Sequence, residues 1–350
     1  MRKNKFQWSW LAVATLAILA ITGLNAAGAQ SPYRVTAQWK IGGDTKWDYL
    51  AQDPMSKLLY VTHGDRVVVV DTSVGKVNAE ITGLKGVHGV AFDTSGRFGY
   101  ISDGAANEVV VFDRRTNGVV AHVPAGVNPD GIVFEPVTQT VWAFNGRSNS
   151  ATVIADANHQ VVATVPLPGK PEFPVADGKG AIYDNIENLS EIVHIDAKTH
   201  KVLAAWPTAP CEGPSGLAID RQHDRLFAVC DGKMAVVDAR TGKLVATPAV
   251  GEGPDAARFD ARRQLVFSSN RDGTLTVIHE DSPNSFSVLQ TLATKSGART
   301  MELDEASGKI YVVTADFESA SAAAPGPPAS HSRIVPGSFE VLVISHDAAK

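Results

Sequence analysis

One phrase recurs along the chain and constrains its fold more than any other feature. A polar or small residue, an apolar run and a closing acid appear at Asp48–Asp53 (DYLAQD), His88–Asp93 (HGVAFD), Asp130–Glu135 (DGIVFE), Phe173–Asp177 (FPVAD), Ser215–Asp220 (SGLAID), Asp255–Asp260 (DAARFD) and Arg299–Asp304 (RTMELD). The closing acids are 40, 42, 42, 43, 40 and 44 residues apart. Each copy continues alike. A turn follows the acid, then a second apolar run such as Leu59–Thr62 or Gly99–Ser102. Next come a polar loop, a third run closing on Asp (Val67–Asp71, Val109–Asp113) and a fourth run such as Leu244–Ala246. Four short strands in a repeat of about 40 residues are the pattern of one β-propeller blade. The repeating acids read as turn chemistry, because an Asp side chain bonds the backbone amides that a turn leaves unpaired.

The ends of the series predict how the ring closes. The seventh copy supplies strands near Arg299–Asp304, Lys309–Thr314 and Phe339–Ile344 and has no fourth. Tyr33–Ile41 is a lone strand with no repeat of its own. Lending it to the last blade removes two open sheet edges. The fold class is therefore all-β: a seven-bladed propeller with three-plus-one closure. One segment breaks the period. Residues 315–337, rich in Ala, Ser and Pro, interrupt the last blade and are expected to form a flexible loop. His279–Ser282 is expected to be a turn on the face opposite the long loops.

Residues 1–29 read differently. Arg2, Lys3 and Lys5 precede an apolar run from about Leu11 to Leu24 and a small-residue site at Ala27-Gly28-Ala29. This is the pattern of a secretory signal peptide, leaving a propeller over residues 30–350. Cleavage removes three positive charges and takes the formal net charge from −5 to −8. No basic excess points to nucleic acid as a partner. After cleavage no stretch is expected to span a membrane, and the expected location is periplasmic or secreted. Export makes a disulfide between Cys211 and Cys230 the expected state.

The repeat resembles a known group. Tyr60-Val61-Thr62-His63 beside Val67–Asp71 is similar to the "YVTN…VxVID" unit of the YVTN, or YncE-like, β-propeller repeat proteins, with His63 in place of the usual Asn. The likeness runs along the whole chain after residue 29, with local phrases at Trp47–Leu50, Cys211–Gly216 and Val335–Phe339 that suggest an exported bacterial branch. The resemblance implies the propeller fold. It leaves function open, since related propellers include binders, lactonases, lyases and quinone-dependent dehydrogenases.

In a propeller the loops before the first strands and after the second strands open on one face, the usual ligand funnel. The candidate ligand-binding residues there are Trp47, Asp130, Asn145, Arg147, Glu172, Phe173, Asn185, Glu187, Asp255, Asn270, Arg271 and Arg299. His63 and His88 are candidate bases or metal ligands, with Asp48 as an orienting carboxylate; the alternative is a structural histidine bonded to a loop carbonyl. Glu172 and Asn185 are candidate oxygen ligands for Ca²⁺ or Mg²⁺. Arg147, Arg271 and Arg299 form either an anion clamp or ion pairs with neighbouring acids. No Walker loop, GxGxxG, GxSxG, HExxH or CxxC motif occurs, and no cofactor is evident. The expected role is therefore a monomeric binding propeller for a small molecule, peptide or cell-envelope component. A lactonase-like hydrolase or lyase with a funnel-bound divalent metal is the first alternative, and a protein-interaction scaffold the second.

Overall fold

The computed structural model describes residues 32–318 and 333–346, together with Met1. The expected signal peptide lies outside these residues apart from Met1, as do residues 319–332 of the loop in the last blade. The described residues form seven four-stranded antiparallel sheets. Six are built from consecutive strands. The seventh takes Arg299–Asp304, Lys309–Thr314 and Glu340–His346 from the end of the chain and Tyr33–Lys40 from its start.

That closure is paired over its full length, from Tyr33 opposite His346 to Lys40 opposite Glu340. It is also clamped from the side. Gln290, on the outer strand of blade 6, accepts a bond from the Tyr33 backbone N–H (2.9 Å) and donates to the Tyr33 carbonyl (2.8 Å).

Burial explains why the apolar runs do not alternate. The second and third strands of a blade lie between two neighbouring blades, so both of their faces are covered. Leu59–His63 and Val67–Val70 are buried at every position. The outer strand Lys76–Ile81 is largely exposed and has one buried residue, Ile81. The apolar residues gather in seven clusters, one in each seam between adjacent blades; one such cluster joins Trp142 and Phe144 of blade 3 to Ile182 and Ile186 of blade 4.

The closing acids act as the sequence suggests. Asp53 Oδ1 accepts the Met55 N–H at 2.8 Å, Asp93 Oδ1 accepts the Gly96 N–H at 2.9 Å, and Glu135 accepts the N–H groups of Val137 and Thr138.

Two expectations need correction. His279–Ser282 is not a turn but the end of a strand, Thr274–Ser282, longer than its counterparts because the following strand, Ser285–Ala293, pairs with it to the tip. The described ends of the 315–337 segment are not loose. Phe317 bridges Ile334, Glu318 N–H donates to Arg333 O, and Val335 N–H donates to Asp316 O, so the two arms form a short ladder.

Candidate functional site

The first strand of a blade lines the channel, and most first strands carry a bulge at the same point. The register slips between Trp47 and Leu50, Val87 and Val90, Pro129 and Ile132, Pro171 and Pro174, Pro254 and Ala256, and Arg299 and Met301. A bulge adds a residue and re-aims its neighbours. Here it gathers Asp48, His88, Asp130, Glu172, Asp255 and Arg299 at one mouth of the channel, with Ser215 of blade 5, whose first strand has no such slip, beside them; all but Glu172, which precedes Phe173, open their phrase. The next residue is Gly89 in blade 2 and Gly131 in blade 3 because the neighbouring blade presses in. A Cβ on Gly131 would meet Pro174 Cδ at 2.4 Å and the Glu172 carbonyl at 2.6 Å.

The mouth has two unlike sectors. On the side of blades 1–4, His88 Nδ1 lies 2.6 Å from Asp48 Oδ2 and 3.6 Å from Asp130 Oδ1. A Cβ on Gly104 would come within 2.6 Å of the His88 ring, so glycine there leaves room for the imidazole. Burial opposes charge on His88, but the bond to Asp48 and the charge of Asp130 outweigh it and raise its pKa to about 9. At neutral pH His88 therefore carries a proton and is a donor rather than the base expected from sequence.

Burial, then the charge of Asp48, pushes Asp130 up to about 7. Burial, then the charge of Asp130, pushes Glu172 up to about 8, against the pull of Lys170 Nζ at 3.1 Å. Lys170 also pairs with Glu187. Behind them is a carboxylate that sequence reasoning missed. Asp184 is fully buried, its oxygens face the Glu172 backbone N–H and otherwise find no donor, and burial holds its pKa well above the usual carboxylate range. The signal for it was the one acid of the strand AIYDNI, next to Asn185 among apolar residues.

On the side of blades 6 and 7, Arg299 lies 3.4 Å from Asp255 Oδ2, donates to the Trp47 carbonyl and sits 5.8 Å from the Trp47 ring. Arg271 lies 3.5 Å from Asp255 Oδ1. Of the two readings of the three guanidinium groups, ion pairing with a neighbouring acid describes Arg271 and Arg299, which share Asp255, while Arg147 is exposed.

Several other nominated residues are committed elsewhere. His63 is buried and stacked on Phe339, ring centroids 4.3 Å apart. Burial, reinforced by Arg66, pulls its pKa down to about 4, because the seam between blades 7 and 1 offers little solvation for an imidazolium. Trp47 is buried against Phe339 and Phe317, the latter on the arm of the last-blade insertion. Asn145 donates to Ser150 and Thr152, and Asn270 to Thr274 and Thr276, so both tie their own blade together. Asn185 donates to the carbonyls of Ser215 and Gly216 and ties blade 4 to blade 5. Those bonds use only its Nδ2; Asn185 Oδ1, the atom that would ligate a cation in the expected Glu172–Asn185 pair, is buried without a hydrogen-bond partner. The ligand atoms that do converge here are those of Asp48, His88 and Asp130, within 4.8 Å of one another.

The channel narrows just past the mouth. Tyr49 and Phe173, from blades 1 and 4, meet edge-to-face at 5.1 Å. Arg258 lies 4.9 Å from the Phe173 ring and forms a two-pronged pair with Glu302 at 2.9 and 3.1 Å. A cavity of about 410 Å³ extends from this constriction toward Gln52, Pro54, Arg221 and Glu305 on the opposite face. None of the seven residues of the mouth ring lines it; of the nominated residues, Phe173 does. This open cavity is in the half of the channel that sequence reasoning passed over, where the wall comes from the middle and end of each phrase.

Cys211 and Cys230 are bonded, with Cα atoms 5.6 Å apart. Among the described residues no helix is long and apolar enough to cross a membrane.

Fold and mouth together define a seven-bladed β-propeller with a polar ring at one end of its channel. Three solved structures show a similar architecture. "Kuenenia stuttgartiensis Hydrazine Synthase" matches at 14% identity and a TM-score of 0.68, over 78% of this chain and 93% of that one. "Structure of U3-55K" matches at 10% and 0.72, over 90% and 98%, and "Crystal structure of RRP9 WD40 repeats" at 10% and 0.73, over 91% and 99%. At such identities the likeness establishes the fold alone. No protein-family profile and no curated protein matches the chain.

Proposed function

We propose that this protein is an exported binding propeller of the YVTN-repeat type that takes a ligand carrying a positively charged nitrogen, an amine or a basic peptide side chain, at the channel mouth. The observation that carries this reading is the convergence of Asp48, Asp130, Glu172 and the buried Asp184 around one imidazole and one lysine. Buried carboxylates held close together gain from any cation that enters, because attraction strengthens where water is excluded. Export is supported by the charged and apolar pattern of residues 1–29 and by the Cys211–Cys230 bond. A metal-centred hydrolase, the first alternative, would draw on Asp48, His88 and Asp130, whose ligand atoms converge, or on Glu172 with the unpartnered Asn185 Oδ1.

Thermal shift with paired probes tests the proposal, since a ligand that binds the folded state raises the melting temperature. Lysine- and arginine-containing peptides and polyamines are compared with their acetylated, neutral counterparts. The expected result is stabilisation by the cationic member of each pair only, lost in Asp130→Asn. Equal shifts from both members, or none from either, would overturn it.

A further inference from the structure

A second group of metal-ligating side chains lies on the opposite face, in the seam between blades 5 and 6. Asp220 closes the first strand of blade 5, and His223 follows in its turn. Glu280 comes from the third strand of blade 6. His223 Nδ1 lies 2.7 Å from Asp220 Oδ2 and 3.2 Å from Glu280 Oε1, and all three ligand atoms fall within 4.8 Å of one another.

The Glu280 side chain is fully buried, and neither of its oxygens has a hydrogen bond of good geometry. A carboxylate removed from water with no partner is costly, and such groups are found paired or on a metal. The same structural position elsewhere shows what is missing. Glu280 N–H donates to Gln264 O as Arg114 N–H donates to Arg97 O, so the two residues are equivalent in their blades. Arg114 reaches back to the turn acid of the preceding blade, Asp53, and also holds Asp93. Glu280 reaches back to the turn acid Asp220 in the same way, but brings a second negative charge where the other seam has a guanidinium.

We infer that Asp220, His223 and Glu280 form a binding site for a divalent transition-metal cation, which supplies the positive charge that this seam lacks. One imidazole nitrogen with two carboxylates suits zinc-type ions rather than Ca²⁺, whose ligands are all oxygen. His223 is about a quarter exposed, which leaves solvent a path to a fourth coordination position, as in open three-ligand sites. The site is independent of the mouth and of the reading given for it.

The test is zinc titration of the untagged, chelator-stripped protein by calorimetry, with Asp130→Asn as background to remove the mouth group. One equivalent of Zn²⁺ is expected to bind and to raise the melting temperature. Glu280→Gln should weaken binding by more than about 10-fold, because even outer-shell partners of a metal contribute that much. Glu280→Arg should abolish it and also raise the melting temperature of the metal-free protein, since it restores the charge pattern of the Arg114 seam. Absence of zinc binding in the Asp130→Asn background, or binding unchanged in both Glu280 variants, would overturn the inference: the carboxylates would then be held by a proton and His223 alone.

Discussion

Two seams of the same ring solve one problem with opposite charges. Between blades 1 and 2, Arg114 is buried, with 3% of its side chain exposed, and neutralises Asp53 and Asp93, which are 5% and 0% exposed. Between blades 5 and 6 the equivalent residue is Glu280, and the balancing group is the partly open His223. The turn acids are near-identical, because each serves its own turn. What differs is the residue that a neighbouring blade brings over. A repeat can thus keep its local chemistry while one seam becomes a closed ionic joint and another a site with room for a guest.

The largest effect expected from this comparison is at the closed joint. Arg114→Leu leaves two buried carboxylates unpaired and should lower stability by about 3–5 kcal/mol in urea unfolding. A change near zero would mean that the joint is not ionic. Next comes the disulfide in blade 5, which closes a loop with a sequence separation of 19. Reduction, or Cys211→Ser with Cys230→Ser, should lower stability by about 3 kcal/mol and mark how much blade 5 depends on covalent support. Glu280→Arg should stabilise the metal-free protein by about 1.5–3 kcal/mol, the range for a hydrogen bond to a charged group.

The pH dependence of stability separates seams from mouth. Asp130 is raised to about 7, Glu172 to about 8 and His88 to about 9, so the folded protein holds all three protons more tightly than the unfolded chain does. Their contribution to stability is full below the ordinary values of these groups and is lost as pH rises through the folded ones. Metal-free stability should therefore fall between about pH 4 and pH 9. Asp130→Asn should flatten that slope, and Arg114→Leu should leave its mouth component unchanged.

The ring itself was open to reading in the sequence because its evidence is local. The closing acids at Asp53 and Asp93 bond amides within their own turns. In six of the seven phrases the polar residue that opens the phrase became a member of the mouth ring; in the fourth the member is Glu172, one residue ahead of Phe173. Tyr33–Lys40 pairs with the third strand of the last blade, Glu340–His346, which no later strand of the described chain covers. Side-chain commitments were harder to read. Asn145, Asn185 and Asn270 look like ligands in a linear chain, yet each is bonded to backbone or hydroxyl groups that folding alone brings near. Asp184, Glu280 and the Arg258–Glu302 pair gave almost no signal, since their significance depends on what the adjacent blade presents.

The sequence by itself determined the number of blades, the strand-by-strand order, the closure and the face on which the opening polar residues gather. Those follow from periodicity and turn chemistry, which act over a few residues. The tertiary structure decided which charges face one another, which polar groups are already satisfied and where along the channel a cavity opens. Those depend on contacts such as Asp220 with Glu280, 60 positions apart in the chain. Only the docking of one blade against the next, in a seam that excludes water, turns two distant residues into a single chemical group.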